Sequence, residues 1–115
     1  MIETQLKRRG HNFLPPKSVK VPALYATNVV PAPDKVVAVH YFSAGGDWWL
    51  TELSESGSTG RLTGFGYVRL AAYPECAQWG YVDMEELEAV NAHGGRVIVE
   101  RDMYFKPCKF SDLKL

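Results

Sequence analysis

The residues with the clearest capacity for chemistry are carboxylates. Glu100 and Asp102 alternate with Arg101 in a predicted strand, so the two acids project from one side and Arg101 from the other. Glu52, in another predicted strand, could join either side. Two carboxylates held close together shift each other's pKa and can act as general acid and base. The favoured alternative is an Arg–carboxylate pair that fixes strand register, because ion pairs of this kind are mostly structural.

The histidines and cysteines indicate neither a metal site nor a nucleophile. His40 lies within an apolar run, which favours a hydrogen-bonded core position over a general base. Cys76 and Cys108 are too far apart for a Cys-x-x-Cys motif, and no His or Cys pair has zinc-ligand spacing. No Gly-x-Ser-x-Gly motif is present either. We therefore predict no catalytic residue, no cofactor and no metal, and an enzyme is the less favoured class.

The composition is typical of one globular domain. Of the 115 residues, 46% are hydrophobic and 23% are charged, which is far from the signature of disorder. The formal net charge is zero, and this argues against a dedicated nucleic-acid binder because phosphate contacts need surplus Lys and Arg. No apolar segment marks a signal peptide or a membrane span, so we predict a cytoplasmic protein without membrane contact.

Local patterns predict an antiparallel sheet and one helix. The helix has a complete start signal, with Asp83 at the N-cap, Glu86 three residues later, and a hydrophobic staple between Val82 and Leu87. The fold class is α+β: a single domain, mainly antiparallel β-sheet, with one well-defined helix near Asp83–Ala92 packed on it, stopped by a Gly-Gly cap. The predicted strands are Leu24–Thr27, Val36–Ser43, Trp48–Leu53, Arg61–Tyr73, Gln78–Val82 and Arg96–Phe105.

The first 22 residues are predicted to be an irregular basic N-terminal arm, ahead of a domain that spans residues 23–115. Gly10 and the Pro15–Pro16 pair interrupt any regular period. Residues 70–95, in contrast, contain acidic residues but no Lys or Arg. Positive and negative charges are therefore concentrated in different parts of the chain. The candidate cations of the arm are Lys7, Arg8 and Arg9.

Aromatic residues are abundant, with three Trp, six Tyr and five Phe. After the Gly45–Gly46 turn, alternation predicts one face of Trp48, Leu50 and Glu52 and an opposite face of Trp49, Thr51 and Leu53. Gly64 and Gly66 leave a flat notch in the next strand, which an indole ring could fill. Some rings should be exposed as partner anchors. The candidate interaction residues are Tyr25, Trp48, Trp49, Glu52, Arg101 and Tyr104.

Five blocks together resemble a family of small bacterial proteins of unknown function, found mainly on plasmids, integrative elements and phages. The resemblance extends from about Phe13 to Leu113, and its last block is the most specific. Where members usually have Ala-Thr-Glu, this chain has Asn28 in place of the acid. The resemblance implies a small α+β domain without an assigned activity. The blocks are Leu14–Pro16, Leu24–Thr27, Trp48 with Glu52, Gly80–Leu87 and Glu100–Pro107.

These observations favour a non-enzymatic protein-binding module of a mobile element, with a host or element-encoded protein as its partner. Counteraction of host defence and plasmid or phage maintenance are the roles that the resemblance implies. The alternative is nucleic-acid binding through the basic arm and exposed rings, with strong salt dependence. An unrecognised enzyme that uses Glu52 with Glu100 or Asp102 is the third hypothesis.

Overall fold

A central antiparallel sheet organises the chain, which a computed structural model describes from Met1 to Leu115. The strands and helices are β1 (Val36–Val37), β2 (Val39–Ser43), β3 (Gly46–Glu55), β4 (Leu62–Leu70), β5 (Gln78–Asp83), β6 (Glu100–Arg101), β7 (Cys108–Lys109), α1 (Leu6–Arg9) and α2 (Met84–Ala89). Five strands pair in the order β5–β4–β3–β2–β6, and β1 pairs with β7 in a separate two-stranded sheet. All pairings are antiparallel. The prediction of a single domain built mainly from antiparallel strands is confirmed.

The predicted hairpin around Gly45 is present, and it places β2 and β3 at the centre of the sheet. Ser43 pairs with Gly46 across a two-residue turn. The predicted strand Val36–Ser43 is divided at Ala38, because β1 pairs with the C-terminal β7 and only β2 pairs with β3. Each half of this apolar run therefore has its own partner.

A β-bulge in β3 changes which face Glu52 occupies. Leu50 pairs with Gly66, but the next pair joins Glu52 to Phe65, so Thr51 is an extra residue on β3. Since paired residues share a face, Glu52 lies on the face of Trp49, and Leu53 returns to the face of Leu50. The predicted alternation through Glu52 is therefore wrong after Leu50. Without the bulge, the carboxylate would point into the apolar core.

The glycine notch in β4 is filled by β3 itself, and no indole ring lies in it. A methyl group at Gly64 would meet the Leu50 side chain, 2.8 Å away. A methyl group at Gly66 would lie 2.0 Å from the Trp49 carbonyl oxygen. The two backbones thus approach too closely at the bulge for any side chain at Gly66.

Each face of the sheet carries its own apolar layer. The first layer is the main core, and its buried members are Phe13, Val39, Tyr41, Trp48, Leu50, Val82, Met84, Leu87 and Val99. The second layer is aromatic: the Phe110 ring lies 4.9 Å from Tyr67 and 4.8 Å from Trp79. Phe65 extends this layer toward Tyr81, with ring centroids 5.0 Å apart. Because each face of the sheet has its own apolar layer, the chain packs more aromatic rings against the sheet than a single face would accommodate.

Residues 1–22 contain a helix and two fully packed side chains. Arg9, at the end of α1, is 4% exposed, and the Phe13 ring is completely buried against Tyr41. The Tyr41 hydroxyl donates a hydrogen bond to the Phe13 carbonyl at 2.8 Å, and burial raises the pKa of that hydroxyl far above its ordinary value. Arg9 and Phe13 thus attach this part of the chain to the core, while most of its other residues are exposed.

The helix α2 begins as predicted and ends earlier. The Asp83 carboxylate accepts hydrogen bonds from the Glu85 and Glu86 amides, at 3.0 and 3.1 Å. The helix stops at Ala89 because Ala92 forms a β-bridge with Val97, which draws the chain out of the helix before the glycines. Two short α-helices, α1 and α2, together with three 3-10 helices of three or four residues, are found where the sequence predicted a single well-defined helix. The 3-10 helices are Ala32–Asp34, Pro74–Cys76 and Phe110–Leu113.

Replacing Asp83 by alanine is expected to lower the free energy of unfolding by about 1 kcal/mol, because two helix amides lose their acceptor. Asp83→Asn keeps an acceptor oxygen and should retain most of that stability. Urea denaturation of both variants measures the difference. Equal loss in both would assign the effect to the ion pair between Asp83 and Arg61 instead of the cap.

One predicted strand is absent, and another is much shorter than predicted. Leu24–Thr27 forms turns, in which the Ala26 amide donates to the Ala23 carbonyl at 3.1 Å. The predicted strand Arg96–Phe105 contributes only β6, because the Asp102 side chain accepts from the Tyr104 amide at 3.0 Å and bends the chain there. These backbones are held by carboxylate side chains that strand periodicity does not take into account.

Candidate interaction site

The buried Glu52 carboxylate holds the turn that contains Tyr25. Glu52 is 1% exposed. Its two oxygens accept from the Tyr25 amide at 2.7 Å and from the Thr27 amide at 3.1 Å, and the Thr27 hydroxyl donates to it as well. A carboxylate with several backbone donors is a strong anchor for a loop. The bulge in β3 is what aims Glu52 at this turn.

Lys35 balances the charge of this carboxylate through Thr27. Its ammonium donates to the Thr27 carbonyl at 2.6 Å and to the Thr27 hydroxyl at 2.9 Å. Lys35 is only 8% exposed, and its Nζ lies 5.9 Å from the centre of the Phe65 ring. The chain Lys35–Thr27–Glu52 thus satisfies a buried charge of each sign, as burial requires.

Tyr25 has an uncommon backbone conformation and an exposed ring. Its φ is 70°, in the left-handed region that residues other than glycine seldom adopt. The two amide contacts of Glu52 on either side of Ala26 hold it there. The ring is 57% exposed and lies 6.1 Å from the ring of Tyr81, which is 58% exposed. Backbone strain of this kind is concentrated at functional sites, so the turn that presents the Tyr25 ring is the candidate interaction site.

The two rings border a groove of about 310 Å³, which we call the tyrosine groove. Its floor and walls come from β4, β5, the Leu24–Tyr25 turn and the polar loop that follows β3. Tyr81 also borders a second groove of about 330 Å³ beside α2. The residues that line the tyrosine groove are Leu24, Tyr25, Ser56, Ser58, Thr59, Arg61, Thr63, Tyr81 and Asp83.

The strand β5 beside this groove has one free edge. It pairs only with β4, so alternate backbone N–H and C=O groups of Gln78–Asp83 point away from the sheet. Apart from its pairing with β4 and the first turn of α2 at Asp83, no backbone hydrogen bond involves this strand, and a methyl group at Gly80 would meet nothing within 4 Å. An unprotected strand edge is a template for pairing with a further strand.

The surroundings of the groove shift the pKa values of two of its polar side chains, Tyr81 and Asp83. Desolvation, together with the nearby Tyr25 hydroxyl and the Glu52 carboxylate, raises the pKa of the Tyr81 phenol. Tyr81 is therefore a neutral donor across the physiological range. The hydrogen bond from Arg61 lowers the pKa of Asp83, and Arg61 also contacts Glu85 at 3.3 Å. The groove thus presents the hydroxyl groups of two tyrosines and the Arg61 guanidinium, which already forms ion pairs with two carboxylates.

The six candidate interaction residues do not form one cluster. Tyr25 and Glu52 are in direct contact at the tyrosine groove. Trp48 and Trp49 are buried, at 9% and 5% exposure, one in each apolar layer. Arg101 donates to the Asn12 carbonyl at 3.2 Å, and Tyr104 is 93% exposed on the loop after β6. Sequence analysis did not select Tyr81 and Lys35 as site residues, because no motif in the sequence around either residue connects it with Tyr25.

The four charged residues considered for catalysis do not form one cluster. No hydrogen bond or ion pair joins Glu52 to Glu100, Arg101 or Asp102, since each has other partners. The Asp102 carboxylate contacts His40 at 3.1 Å, and Glu100 lies 3.8 Å from His11. Arg101 forms no ion pair, so it does not set strand register through a carboxylate. The chain also has no group of three or more His, Cys, Asp or Glu arranged for a metal ion.

The cations of the predicted arm are not equivalent. Lys7 and Arg8 are exposed, and the Arg8 guanidinium donates to the Gly95 carbonyl. Arg9 is buried and paired with Glu88 at 3.0 Å. One of the three candidate cations is thus committed to the core. No helix of the chain is long and apolar enough to cross a membrane, and both cysteines are free thiols.

Comparison with models of known protein families finds a match over most of the chain. A family described as "Protein of unknown function (DUF2958)" matches residues 22–111, which include the whole sheet and the turn at Tyr25. No curated protein and no solved structure matches the chain. The predicted resemblance to proteins of unknown function is confirmed, while an origin on plasmids or phages stays a prediction.

Proposed function

Because the chain belongs to the DUF2958 family of proteins of unknown function, we propose its function from its own surface: it is a non-enzymatic protein-binding module. The tyrosine groove and the edge of β5 receive an extended segment of a partner protein. The observation that carries this proposal is the free edge of β5, bordered by two exposed tyrosine rings. Strand addition supplies backbone hydrogen bonds, and side-chain pockets supply selectivity.

The site is suited to binding because its exposed ring is already fixed. Glu52 holds both amides that flank Ala26, so the turn that carries Tyr25 loses little freedom when a partner binds. Tyrosine provides a large contact area with a polar tip and few rotatable bonds. A methyl group at Gly80 would meet nothing within 4 Å, so the chain itself does not cover the face of β5 at this position.

The contacts of the carboxylates support a binding role over an enzymatic one. Glu52 has its acceptor oxygens occupied by the Tyr25–Thr27 turn, and Asp102 is engaged with His40. Neither is left in a cleft as a free acid or base. In the mobile-element setting that the sequence resemblance implies, the partner is a host or element-encoded protein of defence, transfer or maintenance.

We expect the Tyr25→Ser, Tyr81→Ser double variant to lose capture of the partner by at least about ten-fold, which corresponds to the loss of two aromatic anchors. The measurement is capture from host lysate treated with nuclease, followed by titration of the purified partner. Tyr104→Ser is the matched control, because it removes an exposed tyrosine elsewhere on the surface. All variants should remain folded, and in urea denaturation the double variant should lose no more than about 1.5 kcal/mol, the contribution of the contact between the Tyr81 and Phe65 rings.

Two results would overturn the proposal. Loss of capture with Tyr104→Ser and not with the double variant would assign binding to the loop after β6. Capture that disappears with nuclease, and that weakens when Lys7 and Arg8 are changed to Glu, would instead support the nucleic-acid hypothesis.

A further inference from the structure

The two faces of β5 border different surfaces. Tyr81 points to the aromatic face, because it pairs with Phe65, and it borders the tyrosine groove. Val82 points to the opposite face and is a buried member of the main core. Side chains of a strand alternate between faces, so a further strand paired with β5 also sends its side chains to the two faces in turn. The partner segment of the proposed function therefore meets both surfaces.

The groove beside α2, which we call the α2 groove, is largely apolar. It has a volume of about 330 Å³ and lies on the main-core face of the sheet. Val82 lines it, so it extends to the outer strand β5. Its other apolar walls are Trp48, Val68, Leu87 and Val90. A groove of this kind favours an apolar side chain, because contact there removes apolar surface of both partners from water.

The apolar surface continues toward the other end of β5. A groove of about 270 Å³ shares Val68 with the α2 groove and is also lined by Gln78. Gln78 pairs with Val68, so it lies on the same face of β5 as Val82. The two positions are four residues apart. A strand paired with β5 therefore brings two side chains, also four residues apart, to the two grooves of this face.

The charge along this face of β5 is negative. Asp83 and Glu86 line the α2 groove, and neither of the two grooves is lined by Lys, Arg or His. Glu86 is exposed, and so is Glu75, three residues before β5. Neither forms an ion pair within the chain. A partner with Lys or Arg at both ends of its segment complements these two carboxylates.

On the basis of the proposed function, we infer that the partner segment is an extended basic strand with two apolar residues four positions apart. The apolar side chains lie in the two grooves of the main-core face. The alternate positions carry polar side chains, because the tyrosine groove is lined mainly by hydroxyl groups. Lys or Arg at the ends face Glu75 and Glu86. The charge disfavours a second copy of this chain as the occupant, since pairing of two β5 strands brings like charges together.

The test is selection of random phage-displayed peptides of about twelve residues, longer than β5, on the immobilised full chain. Selected peptides should contain Lys or Arg and two apolar residues four positions apart. Synthetic copies should shift the amide NMR signals of Gln78–Asp83. Glu86→Lys should weaken their binding about five-fold, because it replaces attraction by repulsion. Glu86→Gln should cause a smaller loss, and it keeps the test decisive if Glu86→Lys fails to fold.

Glu100→Lys is the matched control, because it makes the same charge change on β6, at the opposite edge of the sheet. It should bind the selected peptides as the wild type does. Peptides that need Tyr25 and Tyr81 but lack Lys and Arg, or that bind equally to Glu86→Lys, would overturn this inference and leave the proposed function in place. Absence of any peptide that depends on the two tyrosines would overturn both. Dimerisation of the full chain through β5 in sedimentation and NMR experiments would also overturn the inference.

Discussion

Arg9→Met should lower the free energy of unfolding by about 3–5 kcal/mol, the typical cost of leaving a buried charge without its partner. The Glu88 side chain is 1% exposed, and Arg9 is its only cationic partner, at 3.0 Å. Arg9 also donates to the Val99 carbonyl at 2.8 Å and lies over the Phe13 ring at 4.6 Å. Methionine preserves much of the packing volume, so the loss reports on the charge and its hydrogen bonds.

Lys7→Met is the matched control for this change. Lys7 lies in the same short helix but is exposed, so its replacement should alter stability by less than about 0.5 kcal/mol. Urea denaturation with a common slope compares the two variants. Equal and small effects at both positions would show that residues 1–9 do not contribute to the core in solution.

Low pH should weaken the same contact between Arg9 and Glu88. Burial by itself would raise the pKa of Glu88, but hydrogen bonds from the Thr4 and Gln5 amides and from Arg9 outweigh it and hold the pKa below its ordinary value. The stability that Glu88 contributes is therefore present above its unfolded-state pKa and lost as the pH falls through its folded-state pKa. Glu88→Gln should lose less stability than the wild type over that acidic range.

Gly66→Ala should destabilise the domain by at least about 3 kcal/mol, because the new methyl group would meet backbone atoms that have no room to move. Its Cβ would lie 2.0 Å from the Trp49 carbonyl oxygen and 2.8 Å from the Leu50 Cα. Relief requires the bulge at Thr51 to open, and this would turn Glu52 away from the Tyr25 turn. Loss of stability and loss of partner binding are expected together.

Gly80→Ala provides the control within the same pair of strands. Gly80 pairs directly with Gly66, yet a methyl group there meets nothing within 4 Å. We expect a change of about 0.5 kcal/mol toward greater stability, since alanine restricts the unfolded chain. Thermal or urea unfolding measures both variants. A Gly66→Ala domain as stable as Gly80→Ala would mean that the bulge does not exist.

Local signals in the sequence predicted the parts of the fold that depend on neighbours in sequence. The hairpin at Gly45 and the cap at Asp83 follow from turn and capping chemistry within a few residues, and both are present. The position of Glu52 could not be predicted this way. It depends on a bulge that forms because Gly66, in the next strand, allows close backbone approach, and strict alternation places the carboxylate on the wrong face.

For a similar reason, only part of the candidate site could be predicted from the sequence. Tyr25 and Glu52 could be selected as an aromatic and an acidic residue, but their contact spans 27 positions and forms through backbone amides. Periodicity describes side-chain faces and carries no information about which carboxylate caps which turn. The same limit applies to Arg9, whose partner Glu88 lies 79 positions away.

The long reach of these contacts also bears on the order in which the chain can fold during synthesis. Arg9 bonds to a carbonyl 90 positions downstream, and β2 gains its second neighbour in the sheet only when β6 is available. The β3–β4–β5 meander can pair early, since its connections are short. In a nascent chain Arg9 therefore stays unpaired until Glu88 and Val99 have been made. High contact order of this kind slows folding and lengthens the interval in which chaperones can bind the first residues.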